Sequence, residues 1–135
     1  MKRLLLFFAV VTLLASCTED TTDVVKLSVR SQDWIYNSDS AHFDPLYYSY
    51  SFSMPEITSS VYSRGLVQVY MVFDGAQQAL PYVQHNQDTN GVDIWNWTRT
   101  IDFQYSVGEL TVFVTNSDFF DERPEAMDFR VVLIK

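Results

Sequence analysis

Residues 46–53 read Leu46-Tyr47-Tyr48-Ser49-Tyr50-Ser51-Phe52-Ser53. Side chains alternate across a strand with a period of two, so Leu46, Tyr48, Tyr50 and Phe52 share one face. Tyr47, Ser49, Ser51 and Ser53 take the other. One greasy face and one mostly hydroxyl face mark a strand that is covered on one side and wetted on the other. That is the signature of an antiparallel sheet, not of a parallel sheet buried on both faces.

The pattern recurs outward from this stretch. Val25 to Val29 alternates weakly and runs on toward Trp34 and Tyr36. Leu66 to Phe73 groups Val67, Val69, Met71 and Phe73; Thr100 to Tyr105 groups Ile101, Phe103 and Tyr105. Glu109 to Thr115 groups Leu110, Val112 and Val114, and Asp128 to Lys135 groups Phe129, Val131 and Leu133. Pro45, Pro55, Gly65, Gly75, Gly108 and Pro124 punctuate these runs. Asn90-Gly91 favours a tight hairpin turn because both residues tolerate positive φ. Trp95 and Trp97 then alternate on a strand starting near Val92, and Gly108 should turn a hairpin between the Ile101 and Leu110 runs. Pro55 to Ser63 reads as a single helical turn closed by Arg64-Gly65. Six or seven short strands in about 110 residues predict an all-β fold, a single antiparallel β-sandwich that is immunoglobulin-like in the loose sense. The apolar last strand must be paired inside a sheet, since an open edge of that kind would aggregate.

The chain has 135 residues, 47% of them hydrophobic and 16% aromatic, with a formal charge of −8. That length suits one domain, and the apolar content excludes a disordered chain. The acidic balance argues against a nucleic-acid partner, which needs a positive footprint. One cysteine supports neither an internal disulfide nor a thiolate metal cluster.

That cysteine stands at the end of an address. Lys2 and Arg3 precede an apolar run from Leu4 to Ala15, broken only by Thr12. Twelve residues are too few to span a bilayer but fit a signal-peptide core. The run closes in Leu14-Ala15-Ser16-Cys17, which resembles the bacterial lipobox. This resemblance implies a lipoprotein signal peptide over 1–16, a lipidated Cys17 opening a flexible acidic tether over 17–23, and the sandwich over 24–135. Losing Lys2 and Arg3 takes the formal charge from −8 to −10, which gives no pull toward anionic lipid, so the acyl chains should be the sole attachment to the outer membrane. The acidic start Thr18-Glu19-Asp20 resembles the surface-export signal of Bacteroidota lipoproteins. Asp20-Thr21-Thr22 and Asp39-Ser40-Ala41 resemble the short O-glycosylation signal of that phylum, which makes Thr21 and Ser40 candidate modification sites.

A wider likeness joins several segments in order. Glu56-Ile57-Thr58 leads to Gly65-Leu66-Val67-Gln68-Val69-Tyr70, then Leu80-Pro81-Tyr82, then Met127-Asp128-Phe129-Arg130-Val131-Val132-Leu133-Ile134. Together they resemble small lipoproteins and secreted proteins of the Bacteroidota, a group that transfers no catalytic residue. The resemblance implies the same β fold and a place in the bacterial envelope.

Chemistry is sparse. His42 and His85 have no His or Cys at ligand spacing, so no metal site and no cofactor is expected. Asp118, Asp121, Glu122 and Glu125 read as a solvated acidic loop, with Phe119 and Phe120 tucking it onto the end of the sandwich. Asp88 to Asp93 places oxygen ligands at alternate positions, yet the hairpin turn explains Asn90-Gly91 without calcium. Trp34, Trp95 and Trp97 are the candidate ligand-binding aromatics. Core packing competes for the same rings, and by that reading Trp95→Ala would remove about 3–5 kcal/mol of stability. The leading functional reading is a non-enzymatic envelope lipoprotein that binds or assembles with another envelope component. A carbohydrate-binding accessory lipoprotein comes second, its partner a glycan met by the aromatic face. A small hydrolase comes last.

Overall fold

The computed structural model describes residues 21–38 and 46–135. Cys17, Ser40 and His42 lie outside the described residues. The strands are β1 (Thr22–Val29), β2 (Ile35–Asn37), β3 (Tyr47–Met54), β4 (Leu66–Phe73), β5 (Ala76–Ala79), β6 (Tyr82–Thr89), β7 (Ile94–Ser106), β8 (Gly108–Asn116) and β9 (Met127–Ile134). A short 3₁₀ turn covers Ser31–Asp33, and one helix, α1, covers Ser59–Arg64.

Two sheets form, with strand orders β1-β9-β4-β5 and β2-β3-β8-β7-β6. Every pairing is antiparallel. The inward residues are those the alternation singled out: Val67, Val69, Phe129, Val131 and Leu133 from one sheet, Ile101, Leu110, Val112 and Val114 from the other. The fold is therefore an antiparallel sandwich. Its likeness to an immunoglobulin domain stops at the two facing sheets, because β1 pairs with the last strand and not with the second. β9 lies between β1 and β4, so the apolar terminal strand is flanked on both sides, as its composition requires.

Several boundaries move. β1 starts at Thr22, opposite Ile134, so Thr22 and Asp23 belong to the sheet and not to the tether. The two runs around Trp95 and Ile101 are one 13-residue strand. β5 and β6 carry no apolar alternation, so the pattern does not predict them. α1 begins later than Pro55, after Thr58, whose Oγ1 accepts from Val61 N. The Asn90-Gly91 turn is a four-residue connection, and of that pair only Gly91 has a positive φ, +90°.

The sandwich has two unlike ends. At one, Thr22 and Leu66 both lie opposite Ile134, and Gly108 N donates to Ile57 O. This end holds the start of β1, α1 and the β7–β8 turn. At the other, Val29 lies opposite Met127 and Arg99 opposite Asn116. That end holds the turns at 74–75 and 90–93 and the loop 117–126. The eight residues of β1 separate the ends by about 25 Å.

Candidate functional site

The second end carries the polar chemistry. Along β7 and β8 the inward positions are apolar until the last rungs, where Arg99 and Asn116 take them. Both are buried, Arg99 at 7% exposure. A buried guanidinium must have its donors met. Arg99 Nε donates to Asn116 Oδ1 at 3.0 Å, Nη2 to Glu122 Oε2 at 3.1 Å and Nη1 to Glu125 Oε2 at 3.4 Å. Its centre also lies 5.4 Å from the Trp97 ring. Glu122 and Glu125 are themselves largely exposed, so these ion pairs locate the loop more than they stabilise it.

The same loop is held from its other side. Arg123 Nη1 donates to Trp34 O at 2.7 Å and stacks 5.5 Å over the Tyr48 ring. Trp34 Nε1 donates to Glu125 O at 3.0 Å, and Ser31 Oγ to Pro124 O at 2.8 Å. The Tyr48 hydroxyl donates to Asp121. Loop 117–126 has no regular structure, yet residues 121–125 are clasped between Tyr48 and Arg99 of one sheet and the β1–β2 connection that carries Ser31 and Trp34. Phe119 and Phe120 do not tuck it down; Phe120 is 70% exposed. Asp121 to Glu125 do that work, because each finds a charged or hydrogen-bonding partner that an isolated acidic loop would lack.

Burial, reinforced by the hydrogen bond to Asp121, pushes the Tyr48 hydroxyl up to about 12 from its usual 10.0. The neutral phenol is then the form the fold prefers. Its contribution to stability is whole below pH 10 and lost as pH rises through 12. Melting temperature should fall more steeply over that window in the parent than in Tyr48→Phe. Parallel curves would remove Tyr48 from the clasp.

Beside the clasp lies a cleft of about 190 Å³, lined among others by Met71 and Phe73 of β4, Tyr82 and Gln84 of β6, and Glu125. The Phe73 and Tyr82 rings are stacked 6.4 Å apart. Asn86, two residues beyond Gln84 and on the same face of β6, has a buried Nδ2 without a partner.

The rim of this end is apolar. β8 stops at Asn116, opposite Arg99, whereas β7 begins five residues earlier at Ile94. The β6–β7 hairpin therefore runs on past β8 as a two-stranded arm. Val92, Ile94 and Trp95 on that arm are exposed, as are Phe119 and Phe120 on the neighbouring loop.

The three candidate tryptophans separate. Trp34 is 2% exposed and Trp97 9%, with Trp97 Nε1 donating to Asp88 Oδ2 at 2.7 Å. Trp95 is 39% exposed. Trp34 and Trp97 are buried, as the core reading requires, and Trp95 is not. The rings form no common platform. Thr21 is exposed, and its carbonyl accepts from Lys135 N. In the 88–93 segment Asn90 Oδ1 accepts from Val92 N and Asp93 N, and Asp88 is taken by Trp97, so these oxygens are turned to the turn itself. His85 lies opposite Thr98, four residues along β7 from Asp102, a distance of about 13 Å that forbids a hydrogen bond between them. Burial raises the Asp102 carboxyl above its usual range without supplying a partner. Among the described residues no three His, Cys, Asp or Glu side chains gather as a metal site.

Sequence reasoning missed Arg99 and Asn116. The available signal was parity: each stands two residues from an inward apolar neighbour, Ile101 and Val114. No family model, curated protein or solved structure matches this chain.

Proposed function

We propose that the chain is a non-enzymatic envelope lipoprotein, anchored to the outer membrane by lipid on Cys17, that engages another envelope component through the end of the sandwich bearing the clasp. The end at which the chain enters β1 carries this reading. Cys17 precedes the start of β1 by five residue steps, at most about 18 Å of chain. Lipid at Cys17 would hold the α1 end toward the bilayer and present the opposite end, with Val92, Ile94, Trp95, Phe119 and Phe120, about 25 Å farther out. Exposed apolar side chains gathered on a projecting arm and its neighbouring loop mark an interaction surface; Tyr62, Leu66 and Val107, also exposed, lie at the end the anchor would hold toward the bilayer. The lipobox resemblance and the likeness to Bacteroidota envelope proteins support the same picture.

The test joins anchor and orientation. Cys17→Ala should abolish palmitate labelling. Photo-crosslinkers at Trp95 and Phe120 should trap a discrete envelope partner in living cells, and ones at Ser63 and Val107 should not. Palmitate incorporation into Cys17→Ala, or equal crosslinking from both ends, would refute the proposal.

A further inference from the structure

The outer face of the β1-β9-β4-β5 sheet breaks a local rule. Lys26 of β1 lies directly opposite Arg130 of β9, and Arg130 lies opposite Tyr70 of β4. Like charges set opposite one another across a strand pair are destabilising. The chain has 17 acidic residues against 9 basic ones, so carboxylate partners are not scarce. The other basic side chains of the described residues are engaged: Arg30 with Asp33, Arg99 with Glu122 and Glu125, Lys135 with Asp23, Arg123 with backbone carbonyls, and Arg64 with Ser60. Among the described residues neither Lys26 nor Arg130 has an ion-pair partner. Arg130 Nη1 donates to Gln77 Oε1 of β5 at 2.8 Å, which draws the guanidinium across β4, away from β1, and leaves its remaining donors open. The nearby carboxylate, Asp128, accepts from Ser28 Oγ at 2.5 Å instead. These residues line a shallow depression of about 390 Å³, with Val72 in it and Tyr70 on the next rung.

We infer that this depression binds an acidic saccharide, with one carboxylate or sulfate group bridging Lys26 and Arg130. Two cations that line one depression without an internal anion fit one external anion lying between them, through charge-assisted hydrogen bonds. Asp128, one row away, and the strongly acidic chain oppose a ligand with closely spaced charges, such as a polyphosphate. Ser28, Gln77 and Asp128 offer donors and acceptors for neutral hydroxyls beside the anion. Val72 and the half-buried Tyr70 ring offer apolar surface for the face of a sugar ring. A lysine on an edge strand can also serve only to deter strand addition. That role accounts for Lys26 on β1 but not for Arg130 on β9, which has a neighbour on each side.

The test titrates tetragalacturonate into the full-length, detergent-solubilised protein at about 0.15 M salt, with maltotetraose as the neutral counterpart and phosphatidylglycerol vesicles as a second anionic probe. The acidic sugar should bind and the neutral one should not. Lys26→Gln and Arg130→Gln should each weaken binding about tenfold or more with the melting temperature preserved, and Asp128→Asn should leave binding equal or tighter. Equal binding of both sugars, no binding of either, or undiminished affinity in the two Gln variants would overturn the inference. Vesicle binding without sugar binding would assign the cations to lipid headgroups. Self-association of Lys26→Gln with unchanged sugar affinity would assign that residue to edge protection.

Discussion

Trp34→Ala should lower the stability of the protein by about 3–5 kcal/mol, the usual cost of truncating a large aromatic side chain in a packed core. Trp34 heads the fully buried side chains by volume. It also joins core to clasp, because its Nε1 holds the Glu125 carbonyl and its own carbonyl receives Arg123. Trp34→Phe separates the two effects. It keeps most of the ring and strands the Glu125 carbonyl, for a smaller loss of about 1–3 kcal/mol. A total of roughly 5–15 kcal/mol is available to a domain of this kind, so the Ala variant should melt far earlier in chemical denaturation. The same truncation at Trp95 removes a partly exposed ring and should cost under about 1 kcal/mol. Equal midpoint shifts at the two positions would contradict the burial described above.

Gly65→Ala should cost about 3 kcal/mol, at the upper end for an overpacked site. Its φ of −91° suits any residue, so the penalty is crowding and not backbone strain. A Cβ there would lie 2.4 Å from Ile134 O and 2.9 Å from Val61 O. Both are backbone atoms, and neither can rotate away. Relief requires shifting the end of β9, which is paired with β1 at Thr22 and with β4 at Leu66. Gly91→Ala is the contrast. Nothing lies within 4 Å of the added carbon, and the cost is the left-handed φ of +90°, about 1–2 kcal/mol. Denaturation midpoints should rank Gly65→Ala below Gly91→Ala, and the reverse order would show that β9 yields at its end.

The sequence alone determined the class of the fold, because a strand covered on one face must alternate whatever its partners are. Tyr48, Val69, Val112 and Val131 could be assigned to the interior from their own neighbours in the chain. The edge strands β5 and β6 escaped notice for the opposite reason. They are wetted on most sides, so Ala76–Ala79 and Tyr82–Thr89 need no apolar periodicity and owe their conformation to hydrogen bonds with β4 and β7. Trp95 and Trp97 have the same type and the same parity, yet one is exposed and the other buried. Both lie past the last β7–β8 pair, and the difference comes from Trp97's own contacts: Arg99 packs over its ring and Asp88 of β6 accepts from its Nε1, which register brings about. The carboxylate partners of Arg99 stand 23 and 26 residues away, and Lys26 lies opposite Arg130 across most of the chain. Local spacing encodes which face of a strand is apolar. Register and loop closure decide which distant charges meet, and those are set by the packing of all the strands together.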